Sequence, residues 1–375
     1  MKKTDAKSSK RGSLRRKIDP LRQRIDRIDE QILDLINERL FTAQEIGKIK
    51  LDDGTQVVDG SRESKLLNRL KKINKGPLSR QALQHIYTEI IAASREIQGP
   101  QRVAFLGPEA TFTHIAAVNH FGRSLAYAPL PSIRDIFSEV EKGVYHYGVV
   151  PVENSIEGAV NYTLDLFFES DLHICAEIYH AISHDLLSRT ADLKEIRAIY
   201  SHPQAFAQCR HWLRKNMPDT ILIDCSSTAE AAKKAGAEAD AAAIASREAA
   251  DNYQLEVVAG HIEDTSRNVT RFLVIGKDQV KPTGQDKTSL MFVTAHVPGA
   301  LFNVLKPIAE ANINMLKLES RPTKHENWSY FFFVDLAGHI TDQVVSRTVE
   351  KMKKLCFFLK LLGAYPRTDD QTFQR

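Results

Sequence analysis

Charged and hydrogen-bonding side chains interrupt the apolar faces of two predicted helices in the first hundred residues. Arg39 continues an apolar stripe that begins near residue 18, and Ser94 with Gln98 continues a second stripe that ends near residue 97. Buried polar groups need partners, so this pattern indicates a polar ligand unless each side chain reaches solvent or backbone. Arg39 and Lys50 are eleven residues apart, close to three helical turns, so both side chains can converge on one small anion.

Arg22 is too far from these residues to serve the same pocket within one chain. It precedes Arg39 by seventeen residues, which is roughly 25 Å of helix at about 1.5 Å per residue, and it lies on a different face. If Arg22 takes part in catalysis, it must enter the site of a second subunit. A three-helix unit with one over-long helix is suited to such an interlocked dimer.

Apolar periodicity predicts the three helices that would position these side chains. A long amphipathic helix runs from residue 18 to about residue 50, a second from 61 to 73 and a third from 79 to 97. Gly76-Pro77 ends the second helix, and Gly99-Pro100 follows the third. The predicted fold class of residues 18–99 is therefore all-α.

These side chains and the stretches GKIK (47–50) and VDGSRE (58–63) resemble the all-helical chorismate mutase family across the whole segment. The resemblance implies a pericyclic rearrangement of chorismate to prephenate, which needs no cofactor, nucleophile or proton transfer. Catalysis would come from holding a compact substrate conformer and stabilising charge on its ether oxygen. Arginines and Ser94 would hold the carboxylates, Lys50 and Gln98 would donate to the ether oxygen, and two acids would engage the ring hydroxyl. The implied site consists of Arg22, Arg39, Lys50, Asp59, Arg62, Glu63, Ser94 and Gln98.

Polar clusters follow several short apolar runs between residues 100 and 280. The runs alternate with helical stretches, which predicts an α/β fold, and the length allows two lobes with a cleft between them. Ligands of open α/β sheets bind just beyond the carboxyl ends of strands. The runs cover residues 102–107, 147–153, 197–203, 241–246 and 270–276.

The clusters are similar to the four signature stretches of the prephenate dehydratase family, in the family order. They are GPEATFTH (107–114), VVPVENSIEG (149–158), SHPQAFAQC (201–209) and NVTRF (268–272), with Ala110 where many members carry glycine. The resemblance implies a two-lobed, periplasmic-binding-protein-like domain that removes carbon dioxide and hydroxide from prephenate to give phenylpyruvate. This reaction needs a proton donor for the hydroxyl and a site that binds one carboxylate while the other departs.

By this resemblance, Thr270 is the candidate donor or orienting group, and Arg271 is a carboxylate anchor. A threonine hydroxyl is a poor acid alone, so Glu153 or His202 would relay the proton, and the sequence does not choose between them. Phe272 is equally expected in the core. The remaining candidates for substrate binding are Thr111, Asn154, Ser155, Ser201, His202, Gln204 and Phe272.

Residues 281–366 follow the order strand, helix, strand, strand, helix, strand, which is the α+β ferredoxin-like pattern. The segment carries no compact set of acids, bases or nucleophiles, which favours binding over catalysis. PGALFNVL (298–305) and ESRP (319–322) resemble the amino-acid-binding stretches of the ACT family, whose usual effector behind prephenate dehydratases is phenylalanine. Gly299 would let backbone amides approach the effector carboxylate at a helix start. The implied effector residues are Gly299, Ala300, Leu301, Glu319, Ser320, Arg321 and Pro322.

The chain has 51 Lys and Arg residues against 47 Asp and Glu residues, but the excess lies in one short segment. The first 17 residues hold eight basic residues and one acid, and the remainder has 43 basic and 46 acidic residues. A basic tail rich in lysine and serine is typically disordered, so a nucleic-acid arm is the less favoured interpretation. No apolar leader or spanning segment is apparent, which predicts a cytoplasmic protein without a membrane partner.

The four cysteines show no CxxC pair, and no metal or other cofactor is predicted. The expected multidomain organisation is a disordered tail (1–17), a mutase domain (18–99), a dehydratase domain (100–280), an ACT regulatory domain (281–366) and a short tail (367–375). We expect a homodimer or a dimer of dimers. Two alternatives stay open, namely a dehydratase that acts on arogenate and an amino-acid sensor without catalysis.

Overall fold

The computed structural model describes residues 2–52, 60–99, 101–265, 267–322 and 330–368. For residues 2–16, 51 and 52 it describes the backbone alone. Among the predicted site residues, Asp59 lies outside the described residues.

Three helices form the amino-terminal module, as predicted. They are α1 (Lys2–Asp52), α2 (Gly60–Ile73) and α3 (Arg80–Gln98). The hydroxyl of Ser79 caps α3 by accepting a hydrogen bond from the Ala82 backbone N–H at 3.1 Å. The module packs α1 against α3, with Leu83, Ile91 and Ala92 buried.

The start of α1 differs from the sequence prediction, which placed a disordered tail in residues 1–17. The helix begins at Lys2 and continues through Pro20. Lysine, arginine, alanine and leucine are good helix formers, so the basic segment can extend the amphipathic helix that follows it. Pro20 removes one backbone donor from the helix, and the helix tolerates this loss.

The first lobe of the α/β region is a six-stranded sheet. Five strands follow the order β2-β1-β3-β11-β5, and β4 pairs with β3. The strands are β1 (Arg102–Leu106), β2 (Ala126–Leu130), β3 (Tyr147–Asn154), β4 (Gly158–Ala159), β5 (His173–Ala181) and β11 (Val269–Gly276). The helices of this lobe are α4 (Phe112–Phe121), α5 (Ile133–Glu141) and α6 (Asn161–Glu169).

The second lobe is a five-stranded sheet with the order β10-β6-β9-β7-β8. The chain enters it after β5 and returns to the first lobe before β11, so the two-lobed α/β organisation is confirmed. Its strands are β6 (Asp185–Ser188), β7 (Ala198–Ser201), β8 (Ile221–Asp224), β9 (Ala241–Ala245) and β10 (Glu256–Ala259). Its helices are α7 (Pro203–Gln208), α8 (Arg210–Asn216), α9 (Thr228–Ala237) and α10 (Arg247–Tyr253), with a short 3-10 turn at Leu193–Glu195.

The carboxy-terminal module is the predicted ferredoxin-like sandwich. Its four antiparallel strands follow the order β13-β14-β12-β15. The elements in chain order are β12 (Asp286–Val293), α11 (Ala300–Glu310), β13 (Met315–Pro322), β14 (Tyr330–Ala337), α12 (Gln343–Lys353) and β15 (Phe358–Pro366). One face of this sheet packs under α11 and α12, while Met291, Phe333 and Leu362 on the other face join the core of the first lobe.

The central strand β11 divides its side chains between two environments. Phe272 and Val274 belong to the core beneath α4, whereas Leu273 and Ile275 belong to the core that the ferredoxin-like sheet covers. Alternation along a strand places successive side chains on opposite faces. Thr270 and Arg271 therefore face different surroundings. No described helix is both long enough and apolar enough to cross a membrane.

We expect Gly363→Ala to destabilise the junction between β15 and β5. A Cβ at Gly363 would collide with the backbone of Ile174, whose nitrogen would be 2.9 Å away, and backbone cannot yield as a flexible side chain can. Overpacking of this kind costs about 1–3 kcal/mol of unfolding free energy. Denaturant titration measures the loss, and Gly60→Ala is the matched control because a Cβ at Gly60 meets nothing within 4 Å. Equal stability of the two variants would contradict a tight junction.

Candidate functional site

A cavity of about 400 Å³ opens between the three helices of the amino-terminal module. Its lining combines cations with apolar side chains, which suits a small anion that also presents hydrophobic surface. The structure brings together six of the eight predicted residues here. The polar lining residues are Glu38, Arg39, Thr42, Lys50, Arg62, Glu63, Ser94, Arg95 and Gln98.

Arg39 is fixed at the cavity wall by α3. Its Nη1 donates to the Ser94 hydroxyl and, at 3.3 Å, to the carbonyl oxygen of Ile90. The Ser94 hydroxyl in turn donates to the same carbonyl at 2.7 Å. Burial lowers the pKa of the Arg39 guanidinium from its ordinary value, although arginine stays charged at neutral pH. Ser94 thus positions Arg39.

Gly47 explains how Gln98 comes close to α1. A Cβ at Gly47 would lie 2.7 Å from the Gln98 Cγ and 3.0 Å from its Cβ. Only glycine leaves room for that side chain, so the GKIK stretch brings α1 and α3 together beside Lys50. Lys50 and Gln98 both line the cavity, so an ammonium group and an amide are available to one ligand.

Arg95 is a lining residue that the sequence prediction missed. It is 6% exposed, and its Nε donates to Glu63 Oε1 at 2.9 Å while its Nη2 pairs with Oε2. The bidentate pair fixes α2 against α3. Glu63 therefore has a cationic partner before any substrate binds. Arg95 could have been recognised because it lies between Ser94 and Gln98 in the same turns of α3.

Arg22 lies outside this cavity, as the helical distance predicts. Its side chain is 71% exposed, and its partner is Asp19 one turn earlier, at 3.9 Å. The neighbouring apolar residues Ile25, Ile28 and Ile32 are 55%, 44% and 47% exposed. This part of α1 therefore presents an apolar stripe next to a cation on the surface of the single chain.

In the α/β region, Asn154 determines the direction of the hydrogen bond to Thr270. The backbone N–H groups of Ile156 and Glu157 donate to Asn154 Oδ1 at 2.9 and 3.2 Å, so the other amide atom must be the nitrogen. Asn154 Nδ2 then donates to Thr270 Oγ1 at 2.9 Å. Because that oxygen accepts from Asn154, the Thr270 hydroxyl hydrogen remains available for another acceptor.

The chain of amides continues from Asn154 into the second lobe. Asn154 Nδ2 also donates to Asn268 Oδ1 at 2.8 Å, and Asn268 Nδ2 donates to Gln208 Oε1 at 2.8 Å. The same Gln208 oxygen lies 2.8 Å from His184 Nε2, so this nitrogen carries the proton. His184 is 3% exposed, and burial lowers the pKa of its imidazole. A network of neutral side chains therefore connects the lobes behind Thr270.

Three members of this network were not predicted as site residues. Asn268 and Gln208 lie within the quoted stretches NVTRF and SHPQAFAQC, and Gln208 is one helical turn after Gln204. The third member, His184, lies outside the quoted stretches. Strand register places His180 directly opposite Thr270, and its ring contacts Phe112 with 6.2 Å between centroids.

Arg271 differs from its predicted role as a carboxylate anchor. It is 7% exposed and contacts Glu177 and Asp335 at 3.1 and 3.0 Å, with the Tyr365 hydroxyl at 3.2 Å. Burial opposes its charge, yet these partners raise the pKa of Arg271 well above its ordinary value. Arg271 thus faces the ferredoxin-like module, on the side of β11 opposite Thr270. Its guanidinium is already satisfied by protein carboxylates.

Glu153 faces the same side as Arg271. Its Oε2 lies 2.8 Å from Lys317 Nζ and 3.9 Å from Arg271 Nη1. The predicted relay to Thr270 would need this carboxylate to leave Lys317. The contact to Thr270 comes instead from the next residue, Asn154.

Other predicted residues stabilise backbone rather than line an open surface. Ser201 is fully buried and donates to the Ile244 carbonyl on the neighbouring strand at 2.8 Å. Thr111 caps α4 and donates to the Leu106 and Pro108 carbonyls at 3.0 Å. Phe272 is 2% exposed in the core beneath α4.

His202, Ser155 and Gln204 also have local partners. His202 caps α7 by accepting from the Gln204 backbone N–H at 3.3 Å. Ser155 accepts from the Val269 N–H at 3.0 Å, which joins the end of β3 to the start of β11. The Gln204 side-chain amide reaches across the lobes to Glu157. These contacts position the segments around Thr270.

A second cavity, of about 370 Å³, lies in the ferredoxin-like module at the start of α11. Gly299 precedes the helix with φ 80°, a conformation that favours glycine. Ala300 and Leu301, two of the predicted effector residues, line the cavity. The complete lining is Thr294, Ala295, His296, Val297, Pro298, Ala300, Leu301, Tyr330 and Phe332.

The ESRP stretch divides its side chains between two faces of β13. Ser320 is the register partner of Phe332, which lines this cavity. Glu319 and Arg321 instead pair with Lys317 at 3.1 Å and with Asp165 of α6 at 3.0 Å. Two of the four ESRP residues therefore face the first lobe. Within the described ranges, no cluster of three or more His, Cys, Asp or Glu residues could hold a metal ion.

Three family models match consecutive parts of the chain. Chorismate mutase type II matches residues 21–99, prephenate dehydratase matches 103–280, and the ACT domain matches 288–354. The chain is 46% identical over 351 residues to a bifunctional chorismate mutase/prephenate dehydratase of Aquifex aeolicus, with 92% of this chain and 97% of the relative covered. A protein of the same name from Stutzerimonas stutzeri is 42% identical over 353 residues, with 92% and 97% covered.

A solved structure supports the same assignment of the last two modules. It is a prephenate dehydratase from Arthrobacter aurescens in complex with L-Phe. The superposition has a TM-score of 0.67 with 34% sequence identity, and it covers 72% of this chain and 91% of that chain.

Proposed function

Because the chain belongs to the bifunctional chorismate mutase/prephenate dehydratase family, we propose that it converts chorismate to prephenate in the helical cavity and prephenate to phenylpyruvate at Thr270. Phenylalanine regulates the second reaction from the ACT module. The observation that carries this proposal is the pair of prearranged donor sets, Arg39 with Lys50 and Gln98 in one site and Asn154 with Thr270 in the other.

The helical cavity suits a rearrangement that needs no nucleophile and no proton transfer from the protein. Chorismate carries two carboxylates, and the cavity supplies the guanidinium groups of Arg39 and Arg62. Lys50 and Gln98, which also line the cavity, would donate to the ether oxygen, where negative charge grows in the transition state. Ser94 already fixes Arg39, so little reorganisation is needed on binding.

At the second site, the direction of the Asn154 bond makes Thr270 a donor. As the C–C bond to the departing carboxylate breaks, its electron pair enters the ring and the C–O bond of the ring hydroxyl breaks. The Thr270 hydroxyl proton passes to the departing hydroxide, which leaves as water. Carbon dioxide leaves from the ring carbon that carried the departing carboxylate. Solvent then returns a proton to the Thr270 oxygen. Arg271 supports the strand and is not assigned to the substrate.

The long first helix supports a dimer in which Arg22 completes the partner's cavity. The exposed apolar residues Ile25, Ile28 and Ile32 flank Arg22 and would be covered by a second copy. The proposed location remains the cytoplasm, where the free cysteines, including buried Cys209 and Cys225, stay reduced.

We expect Lys50→Ala to lower mutase kcat by about 100-fold or more, because charge on the ether oxygen loses its cation. Dehydratase activity on prephenate should be unchanged.

Thr270→Val should have the reverse effect, with dehydratase activity lost and mutase activity unchanged, since it keeps the shape of the side chain and removes the hydroxyl. Assays with each substrate measure both, and Lys48→Ala and Thr270→Ser are the matched controls. Loss of both activities in either folded variant would contradict separate sites, and turnover of arogenate in preference to prephenate would change the second substrate.

We expect a mixture of Arg22→Ala and Lys50→Ala chains to regain mutase activity that neither variant has alone. A mixed dimer would hold one cavity with Lys50 from one chain and Arg22 from the other. Co-expression of differently tagged chains, followed by tandem purification and the mutase assay, measures the recovery. A mixed dimer as inactive as its parents would show that Arg22 does not act across the interface.

We expect Gly299→Ala to weaken phenylalanine inhibition of the dehydratase. Gly299 has φ 80°, and an added Cβ meets nothing within 4 Å, so the effect comes from backbone strain at the start of α11. Strain of this kind costs about 1–2 kcal/mol, which corresponds to roughly a five- to thirtyfold higher inhibitory concentration if the bound state carries it. Gly284→Ala is the control, with φ 94° and equally open surroundings outside the cavity. Equal inhibition of the two variants would contradict an effector site at α11.

A further inference from the structure

The edge strand β13 has one face toward the effector cavity and the other toward the dehydratase lobe. Ser320 lies opposite Phe332, a cavity residue, whereas Lys317 and Glu319 lie opposite Asp335 and Phe333. Phe333 belongs to the core shared with the first lobe. A shift of this strand therefore changes both surfaces together.

Two cations of β13 reach carboxylates of the first lobe. Lys317 Nζ lies 2.8 Å from Glu153 Oε2, and Arg321 Nη1 lies 3.0 Å from Asp165 Oδ1. Arg321 also donates to the Asn161 carbonyl. The side chains of Lys317 and Arg321 are 23% and 12% exposed, so solvent screens these pairs less than it screens surface pairs.

Lys317 joins the ESRP stretch to the active-site strands through a continuous ionic chain. Its Nζ lies 3.1 Å from Glu319 Oε2 as well as 2.8 Å from Glu153. Glu153 immediately precedes Asn154, the residue that orients Thr270. Glu153 also lies 3.9 Å from Arg271, the residue that follows Thr270. The Lys317 ammonium group thus contacts the Glu153 carboxylate. Glu153 is adjacent in sequence to Asn154 and close in space to Arg271, the residue that follows Thr270.

The strand pairing around Glu153 is irregular, so loss of its contact with Lys317 can change the local structure. β3 and β11 carry a bulge between Arg271 and Phe272, so their pairing beside Thr270 is irregular. Without Lys317, the Glu153 carboxylate would retain Arg271 as its cationic neighbour among the described residues. Movement toward Arg271 would disturb the bulge and the Asn154 amide that follows.

We propose that Lys317 of the regulatory module is a positioning residue for the dehydratase. It holds Glu153 and thereby the Asn154–Thr270 hydrogen bond, and it transmits the effector-bound state of β13 to that bond. The inference rests on the proposed function and adds a specific residue through which the regulatory strand acts.

The test compares Lys317→Met, which keeps length and removes charge, with Lys317→Arg, which keeps the charge. Lys306→Met is the matched control, because Lys306 lies on α11 and pairs only with Glu310 among the described residues, at 3.8 Å. Each full-length variant is assayed for mutase activity, for dehydratase kcat and KM, and for phenylalanine inhibition.

We expect Lys317→Met to lower dehydratase kcat about tenfold with a much smaller change in KM, as a misplaced donor does. Its inhibition by phenylalanine should be reduced, and Lys317→Arg should restore both properties. Mutase activity should match the wild type in every variant, which verifies folding. Glu153→Gln combined with Lys317→Met should cost less than the sum of the two single changes.

Wild-type kcat and wild-type phenylalanine response in Lys317→Met would overturn the inference and leave the proposed function intact. A loss that Lys317→Arg does not restore, or that adds fully to the Glu153→Gln loss, would overturn it as well. Absence of dehydratase activity from the wild-type chain would instead refute the proposed function itself.

Discussion

Arg271 is held by a buried group of charged and polar side chains beneath the strand that carries Thr270. Glu177 contacts both Arg271 and Lys287, at 3.1 and 2.7 Å, and Asp335 contacts Arg271 at 3.0 Å. Burial opposes ionisation of Asp335, yet Arg271 and Lys287 hold its pKa below the ordinary value. Removing one member would leave an uncompensated buried charge at a cost of about 3–5 kcal/mol. The group therefore fixes where β11 lies between the dehydratase lobe and the regulatory sheet.

This constraint lets one strand serve two purposes. The alternation of β11 places Thr270 on the face that carries Phe272 and Arg271 on the face toward the regulatory module, so the position of one determines the position of the other. On the Thr270 face, the amides of Asn154, Asn268 and Gln208 have a single consistent direction of hydrogen bonding. The helical cavity follows the same principle, since Ser94 orients Arg39 before a substrate arrives. In both places, a neutral side chain holds the neighbouring polar group in one orientation.

The sequence predicted local features better than the surroundings of individual strand residues. Arg39, Lys50, Ser94 and Gln98 meet in one cavity because helical periodicity alone places them on facing stripes. The sequence led to an assignment of Arg271 to the substrate. Its buried partners come from β5, β12 and β14, and the pairing of strands that are distant in sequence cannot be predicted from local patterns. Alternation could have indicated that Thr270 and Arg271 face opposite sides. The hydrogen bond of Ser201 could not be predicted for a similar reason, since its partner Ile244 lies on a neighbouring strand.

The proposed function requires two separate sites in one chain that act in succession under control of a third module. A time course of chorismate conversion by the purified full-length chain tests this function directly when chorismate, prephenate and phenylpyruvate are all quantified. Prephenate should appear first and phenylpyruvate should follow, and added phenylalanine should make prephenate accumulate. Unchanged chorismate, or the same yield of phenylpyruvate at saturating phenylalanine, would contradict it.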